Sequence, residues 1–118
     1  MAVKRPMGAL EEEVMSYLWT TTAAATPAEV HQAVAPELAY TTILTILTRL
    51  WEKERLSRER SGRAHAYQPV RTEAEDRAGR MQITLADAGN RAAVLSSFVE
   101  ALNADDVKLL RMLLRQGR

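Results

Sequence analysis

Residues 38–69 read LAYTTILTILTRLWEKERLSRERSGRAHAYQP, and the fold turns on this stretch. Its first half has helical periodicity. Ile43, Ile46, Leu47 and Leu50 recur at three- and four-residue spacing and form one apolar stripe. Thr41, Thr45, Thr48 and Glu52 fall on another face, with Thr42, Arg49 and Lys53 beside them. A helix over residues 40–54 is predicted. The second half changes period: residues 56–60 and 64–68 are expected as two short strands around a Ser61-Gly62-Arg63 turn.

A helix followed at once by a basic hairpin is the signature of a winged helix-turn-helix. Short hydroxylic side chains and an Arg on the exposed helix face suit a surface that enters a DNA groove. Thr donates, accepts, or sets its methyl against a thymine methyl, and Arg forks to guanine. The plainer reading is a solvated face, because Thr is a mediocre helix former that often only meets water. The basic hairpin tips the balance toward nucleic acid.

Working outward, residues 10–19 are expected as the first helix. Leu10, Val14 and Leu18 share one face, with Met15 and Trp19 at its margin. Glu11, Glu12 and Glu13 are read as first-turn dipole partners in solvent, not as acid/base or metal chemistry, since no His or further Asp joins them. Residues 20–25 connect. Thr26, Pro27 and Glu29 then make a capping-box start, and the helix over 27–35 turns Val30 and Val34 to the core. Its N-terminus could lend backbone N–H groups to a phosphate. His31 is read as an exposed helix residue. Ala39 stands where a capping Ser or Asp would be usual, leaving the next helix start with free N–H groups.

In the hairpin, Arg58, Arg60, Arg63 and His65 are placed to reach phosphate or the minor groove, with surface charge as the plain alternative. Tyr67 either packs on the core or offers its hydroxyl to a phosphate. Past Pro69, Thr72 and Glu75 repeat the capping box, and a helix carries Ala74, Ala78, Met81 and Leu85 on one side. Gly89 is expected to stop it and Asn90 to cap the next, which bears Val94, Leu95, Phe98, Val99 and Leu102. Asn103 caps the last helix. Asp105 and Asp106 lie in its first turn, and Val107, Leu110, Leu113 and Leu114 form its apolar side. Helices this short enclose no core alone. Their stripes need a partner, either a second copy of the segment or this chain's own winged helix, and a second copy is the simpler.

Composition narrows the function classes. The 118 residues are 47% hydrophobic and 26% charged, which suits an ordered globular chain. With 0 Cys there are no disulfides, thiolate metal sites or cysteine nucleophiles, in keeping with a reducing cytoplasm. No run approaches the ~20 apolar residues of a membrane span, and residues 1–6 lack the apolar core of a signal peptide. The formal net charge of +1 hides a segregation. Over residues 1–48, Lys4 and Arg5 stand against Glu11, Glu12, Glu13, Glu29 and Glu37, a net of −3. Over residues 49–63, Arg49, Lys53, Arg55, Arg58, Arg60 and Arg63 stand against Glu52, Glu54 and Glu59, a net of +3. Phosphate affinity follows the local patch. So modest a patch predicts weak binding by one copy and a dimer on two half-sites.

The third helix, the opening LEEEVMSYLW and the closing AHAYQP together resemble the penicillinase/methicillin-resistance repressor family (BlaI/MecI type). The likeness runs over essentially the whole chain and is densest over residues 10–69. It implies a homodimeric transcriptional repressor, mostly α with a small β-hairpin, acting in the cytoplasm on inverted-repeat double-stranded DNA operators without a cofactor. Residues 1–70 would be the winged-helix DNA-binding domain and residues 71–118 the helical dimerisation domain. Family DNA contacts map to Tyr40, Thr41, Thr42, Thr45 and Arg49, and to the wing. Leu44 stands where some relatives carry a polar side chain. In beta-lactam-responsive relatives a regulatory protease cuts an Asn-Phe bond in the dimerisation segment. The matching pair here is Ser97-Phe98, without the Asn. Copper-responsive relatives use C-terminal Cys pairs, which this chain lacks.

Three other readings compete. A winged-helix adaptor that binds protein and not DNA would suit the near-neutral net charge. A hydrolase would need a base placed with a nucleophile or acid pair, and the sequence offers none. A metal sensor would need more than His31 and His65, which lie on different elements with no ligand at the usual spacing.

Overall fold

The computed structural model describes residues 6–117. Lys4 and Arg5 of the amino-terminal charge count, and most of the stretch read for a signal peptide, lie outside the described residues. Six helices and one hairpin follow in the order α1 (Met7–Thr20), α2 (Pro27–Val34), α3 (Tyr40–Glu52), β1 (Leu56–Ser61), β2 (Ala64–Pro69), α4 (Glu73–Ala86), α5 (Arg91–Ala101) and α6 (Ala104–Gln116). The chain forms two compact units, Met1–Arg77 and Ala78–Arg118. The first is a winged helix-turn-helix.

Its core is the stripe predicted on α3 plus the faces that meet it. Ile43, Ile46, Leu47 and Leu50 pack with Leu10, Val14, Met15 and Leu18 of α1, Val30 of α2, and Leu56 and Tyr67 of the hairpin. Each such side chain, wholly withdrawn from water, contributes about 1.5–3 kcal/mol. β1 and β2 pair antiparallel, with Arg58 opposite Tyr67 and Arg60 opposite His65. Gly62 takes a left-handed φ of 64°, which lets Gly62 and Arg63 close a two-residue loop. On its other edge β2 meets the α1–α2 connector. Ala25 and Tyr67 exchange both backbone hydrogen bonds, at 2.9 and 2.8 Å, so the wing is pinned beneath the helices.

The caps at Thr26, Thr72, Asn90 and Asn103 form as expected, each side chain accepting from the backbone N–H three residues on. Gly89 is not in a left-handed conformation: α4 has already ended at Ala86.

Three local expectations are corrected. First, α1 starts at Met7, so Glu11, Glu12 and Glu13 lie beyond the first turn, where they cannot serve the helix dipole. Glu11 is buried against Lys53 at 3.0 Å, and Glu12 pairs with Arg55 at 3.2 Å. Glu11 and Glu12 are tertiary ion-pair partners, not solvated ones, and Met15 is fully buried instead of marginal.

Second, α3 ends at Glu52, not Glu54. Arg55 N–H donates to Leu50 O and Glu54 N–H to Trp51 O, the paired bonds of a Schellman motif. The left-handed position of that motif usually goes to Gly. Here it is Glu54, at φ 64°.

Third, His31 is half-buried. Its Nε2 lies 2.7 Å from Leu38 O, and a carbonyl only accepts, so Nε2 carries the proton. Its ring also meets the Tyr40 ring edge-on at 5.9 Å, bracing the turn between α2 and α3.

In the second unit the apolar stripes stay open. No residue of α5 or α6 is buried. Phe98 is 43% exposed, Val99 51% and Leu114 70%.

Candidate nucleic-acid interface

The exposed side of α3 presents Tyr40, Thr41, Leu44, Thr45 and Arg49, while Thr42 and Thr48 are half-buried. Burial of the opposite stripe sets this orientation, and the stripe cannot turn outward without exposing four aliphatic side chains. The Thr48 hydroxyl donates to Leu44 O at 2.9 Å, so it is turned back on the helix. Ala39 supplies no side-chain cap, and Tyr40 and Thr41 open the helix with backbone donors aimed outward. The N-terminus of α2 differs. Its Glu29 carboxylate accepts from Thr26 N–H at 2.8 Å, so an anion already stands where a phosphate was expected to dock.

The six cations counted over residues 49–63 separate into three groups. Lys53 donates to Glu11 at 3.0 and 3.1 Å. Arg55 forks onto Asp76 at 3.1 and 2.8 Å and reaches Glu12 at 3.2 Å. Burial acts to lower the Arg55 pKa, but the hydrogen bonds and charges of Asp76 and Glu12 outweigh it and hold it above its ordinary value. Arg55 is largely buried in the fold, whereas Lys53 is paired with Glu11 while its side chain stays 55% exposed. Arg49, Arg60 and Arg63 are exposed, and among the described residues no carboxylate pairs with them.

Arg58 is intermediate. Its guanidinium lies 3.5 Å over the Trp51 ring and 3.4 Å from the Tyr67 hydroxyl. Arg58 is thus held flat between helix and wing, still half-exposed. Such stacking stabilises by about 0.5–1 kcal/mol at exposed sites. Tyr67 takes the core option, with its hydroxyl turned to Arg58 and its ring edge-on to His65 at 6.3 Å. Loss of water around the imidazole, then the charges of Arg58 and Arg60, push the His65 pKa below its ordinary value. A nearby phosphate would favour the protonated form of this imidazole.

The structure thus brings Arg58, Arg60 and His65 together on one face of the hairpin, with Arg63 in its loop. Trp51 belongs to this group and sequence reasoning missed it. The available signal was its place seven residues after exposed Leu44, at the margin of the apolar stripe. Met81, Leu85, Val94, Leu95, Phe98, Val99, Leu102, Leu110, Leu113 and Leu114 all lie in the second unit, exposed or half-buried. Ile83, Leu109 and Met112 are exposed there too. Ser97 and Phe98 sit inside α5. Among the described residues no cluster of three or more His, Asp or Glu could hold a metal ion, and no helix is long and apolar enough to cross a membrane.

With this geometry in hand, the chain can be compared with known proteins. A family model described as "Penicillinase repressor" matches residues 7–116. Two curated relatives, each called "Transcriptional regulator BlaI", come from Mycobacterium tuberculosis strains CDC 1551 / Oshkosh and ATCC 25618 / H37Rv. Each is 41% identical over 121 residues, covering 98% of this chain and 88% of the relative.

Proposed function

The chain belongs to the penicillinase repressor family, and on that premise we propose that it is a dimeric transcriptional repressor that binds an inverted-repeat operator in double-stranded DNA. One observation carries the reading at residue level. The recognition face of α3 and the cations Arg49, Arg60 and Arg63 are exposed with no carboxylate partner among the described residues, while Lys53 and Arg55 of the same stretch are ion-paired and Arg58 lies over Trp51.

α3 enters the major groove, and Tyr40, Thr41, Thr42, Thr45 and Arg49 meet bases and backbone there. The wing, through Arg58, Arg60, Arg63 and His65, follows the neighbouring phosphates. Leu44 sets an aliphatic surface beside Thr45, suited to a thymine methyl. Residues 1–70 bind DNA. Residues 71–118 dimerise, because the open stripes of α5 and α6 leave too much apolar surface for a lone soluble helical unit. The pair at Ser97-Phe98 is the candidate bond for a regulatory protease. Because it is helical, α5 must unwind locally before it can be cut. No observation favours the adaptor reading over this one.

The test is duplex binding. Thr45→Ala and Arg49→Ala are expected to weaken affinity for operators selected by the native protein from a random pool, with melting temperature and dimer mass unchanged. Unaltered affinity in both variants refutes the assignment of α3.

A further inference from the structure

Of the wing's cations, Arg58 is already held by the fold. Its guanidinium lies 3.5 Å over the Trp51 ring, and its cross-strand partner Tyr67 offers a hydroxyl at 3.4 Å. Both supports are firmly rooted. Trp51 follows the core residue Leu50 near the end of α3, so the helix fixes its backbone. The Tyr67 ring is buried, and its backbone exchanges two hydrogen bonds with Ala25. Trp51 itself is 38% exposed and stands outside the core cluster. What its ring covers is the flat face of a cation.

Stacking takes up the face of a guanidinium and leaves its edge open. Arg carries five N–H donors in that plane. Nη1 meets the Tyr67 hydroxyl, and among the described residues no other acceptor meets the rest. The residue is half-exposed, so the edge is open to solvent. Parallel N–H groups on such an edge match two oxygens of a phosphate. Arg60 and Arg63 carry the same donors with no ring beneath them. A long side chain that must be ordered on binding gives up affinity, whereas one ordered beforehand does not.

We propose that Trp51 is a positioning residue: it holds Arg58 flat, so that the open guanidinium edge receives a DNA phosphate with its ordering cost already met. The proposal rests on the DNA-binding reading and adds to it the residue that arranges the wing in advance. Trp51 brings no charge of its own and acts through Arg58.

The experiment uses full-length protein and a duplex selected by the native chain from a random pool, with affinity measured across a salt series. Trp51→Ala is expected to weaken binding by about three- to tenfold per protomer bound, the ordering cost of one long side chain. Its salt slope should stay within about 0.3 of native, because the charge still reaches its phosphate. Arg58→Ala should make the slope shallower by about 0.9 per protomer. Trp51→Phe, which keeps an aromatic face, should bind within about twofold of native. In an Arg58→Ala background the further change Trp51→Ala should cost less than about twofold. If Trp51→Ala does not fold, Arg58→Lys keeps the charge without the flat stack and should lose affinity at native slope. Native affinity in Trp51→Ala, a slope that falls as it does in Arg58→Ala, or an equal loss with and without Arg58 overturns the proposal. A native protein with no salt-dependent affinity for any duplex removes the DNA-binding reading itself, and that result is distinct.

Discussion

The division of cations into free and paired makes a sharp prediction about salt. Arg60 and Lys53 count equally as charges along the sequence. In the structure Arg60 is exposed with no carboxylate partner, whereas Lys53 holds Glu11 at 3.0 Å. On duplex DNA each phosphate contact contributes about 0.9 to the slope of log affinity against log salt. In a dimer, Arg60→Ala removes two contacts, so the slope should become shallower by about 1.8. Extrapolated from ~1 M, where counterion release no longer contributes, this is a loss of roughly thirtyfold at about 0.15 M salt. Lys53→Met keeps the aliphatic stem and should leave the slope within about 0.3 of native, since its charge is already spent on Glu11. Fluorescence anisotropy with a labelled duplex, titrated across ~50–300 mM salt, reads both slopes. Equal slope changes in the two variants would refute the separation of wing cations from fold cations.

Other outcomes follow from the same contacts. Asp76→Ala leaves the largely buried Arg55 guanidinium with Glu12 as its remaining partner and should lower stability by about 1.5–3 kcal/mol, read by denaturant unfolding. Glu54→Gly relieves a left-handed side-chain-bearing residue and should raise stability by roughly 0.5–1 kcal/mol; a melting temperature that falls would contradict the assigned backbone. His65 holds its proton less tightly in the fold than its ordinary value of 6.5. The fold is therefore penalised as pH drops below that value and unaffected above it. Bound phosphate reverses the preference, so duplex affinity should rise between about pH 7.5 and about pH 5.5 in the native protein, and rise less in His65→Gln. The same pH response in both would rule out His65 at the interface.

Much of the architecture was legible because its signals are local. The α3 stripe, the Gly62 loop and the side-chain caps at Thr26, Thr72, Asn90 and Asn103 each depend on residues within four positions of one another, so periodicity and capping chemistry suffice. The end of α3 was misplaced because a Schellman stop normally announces itself with Gly, and Glu54 gives no such sign. The start of α1 was misplaced for a related reason: Pro6 precedes it with no side-chain cap to read.

The chain's one-dimensional pattern was enough to establish a helix-turn-helix with a basic hairpin, since hydrophobic spacing and turn chemistry act over a few residues. It could not say which charges are available to a ligand. Lys53 meets Glu11 across 42 positions, and Arg55 meets Glu12 across 43 and Asp76 across 21. Arg58 lies over Trp51 because β1 folds back beside α3. Charge neutralisation is a matter of distances of about 3 Å, and those distances exist once the core has closed and brought remote stretches together.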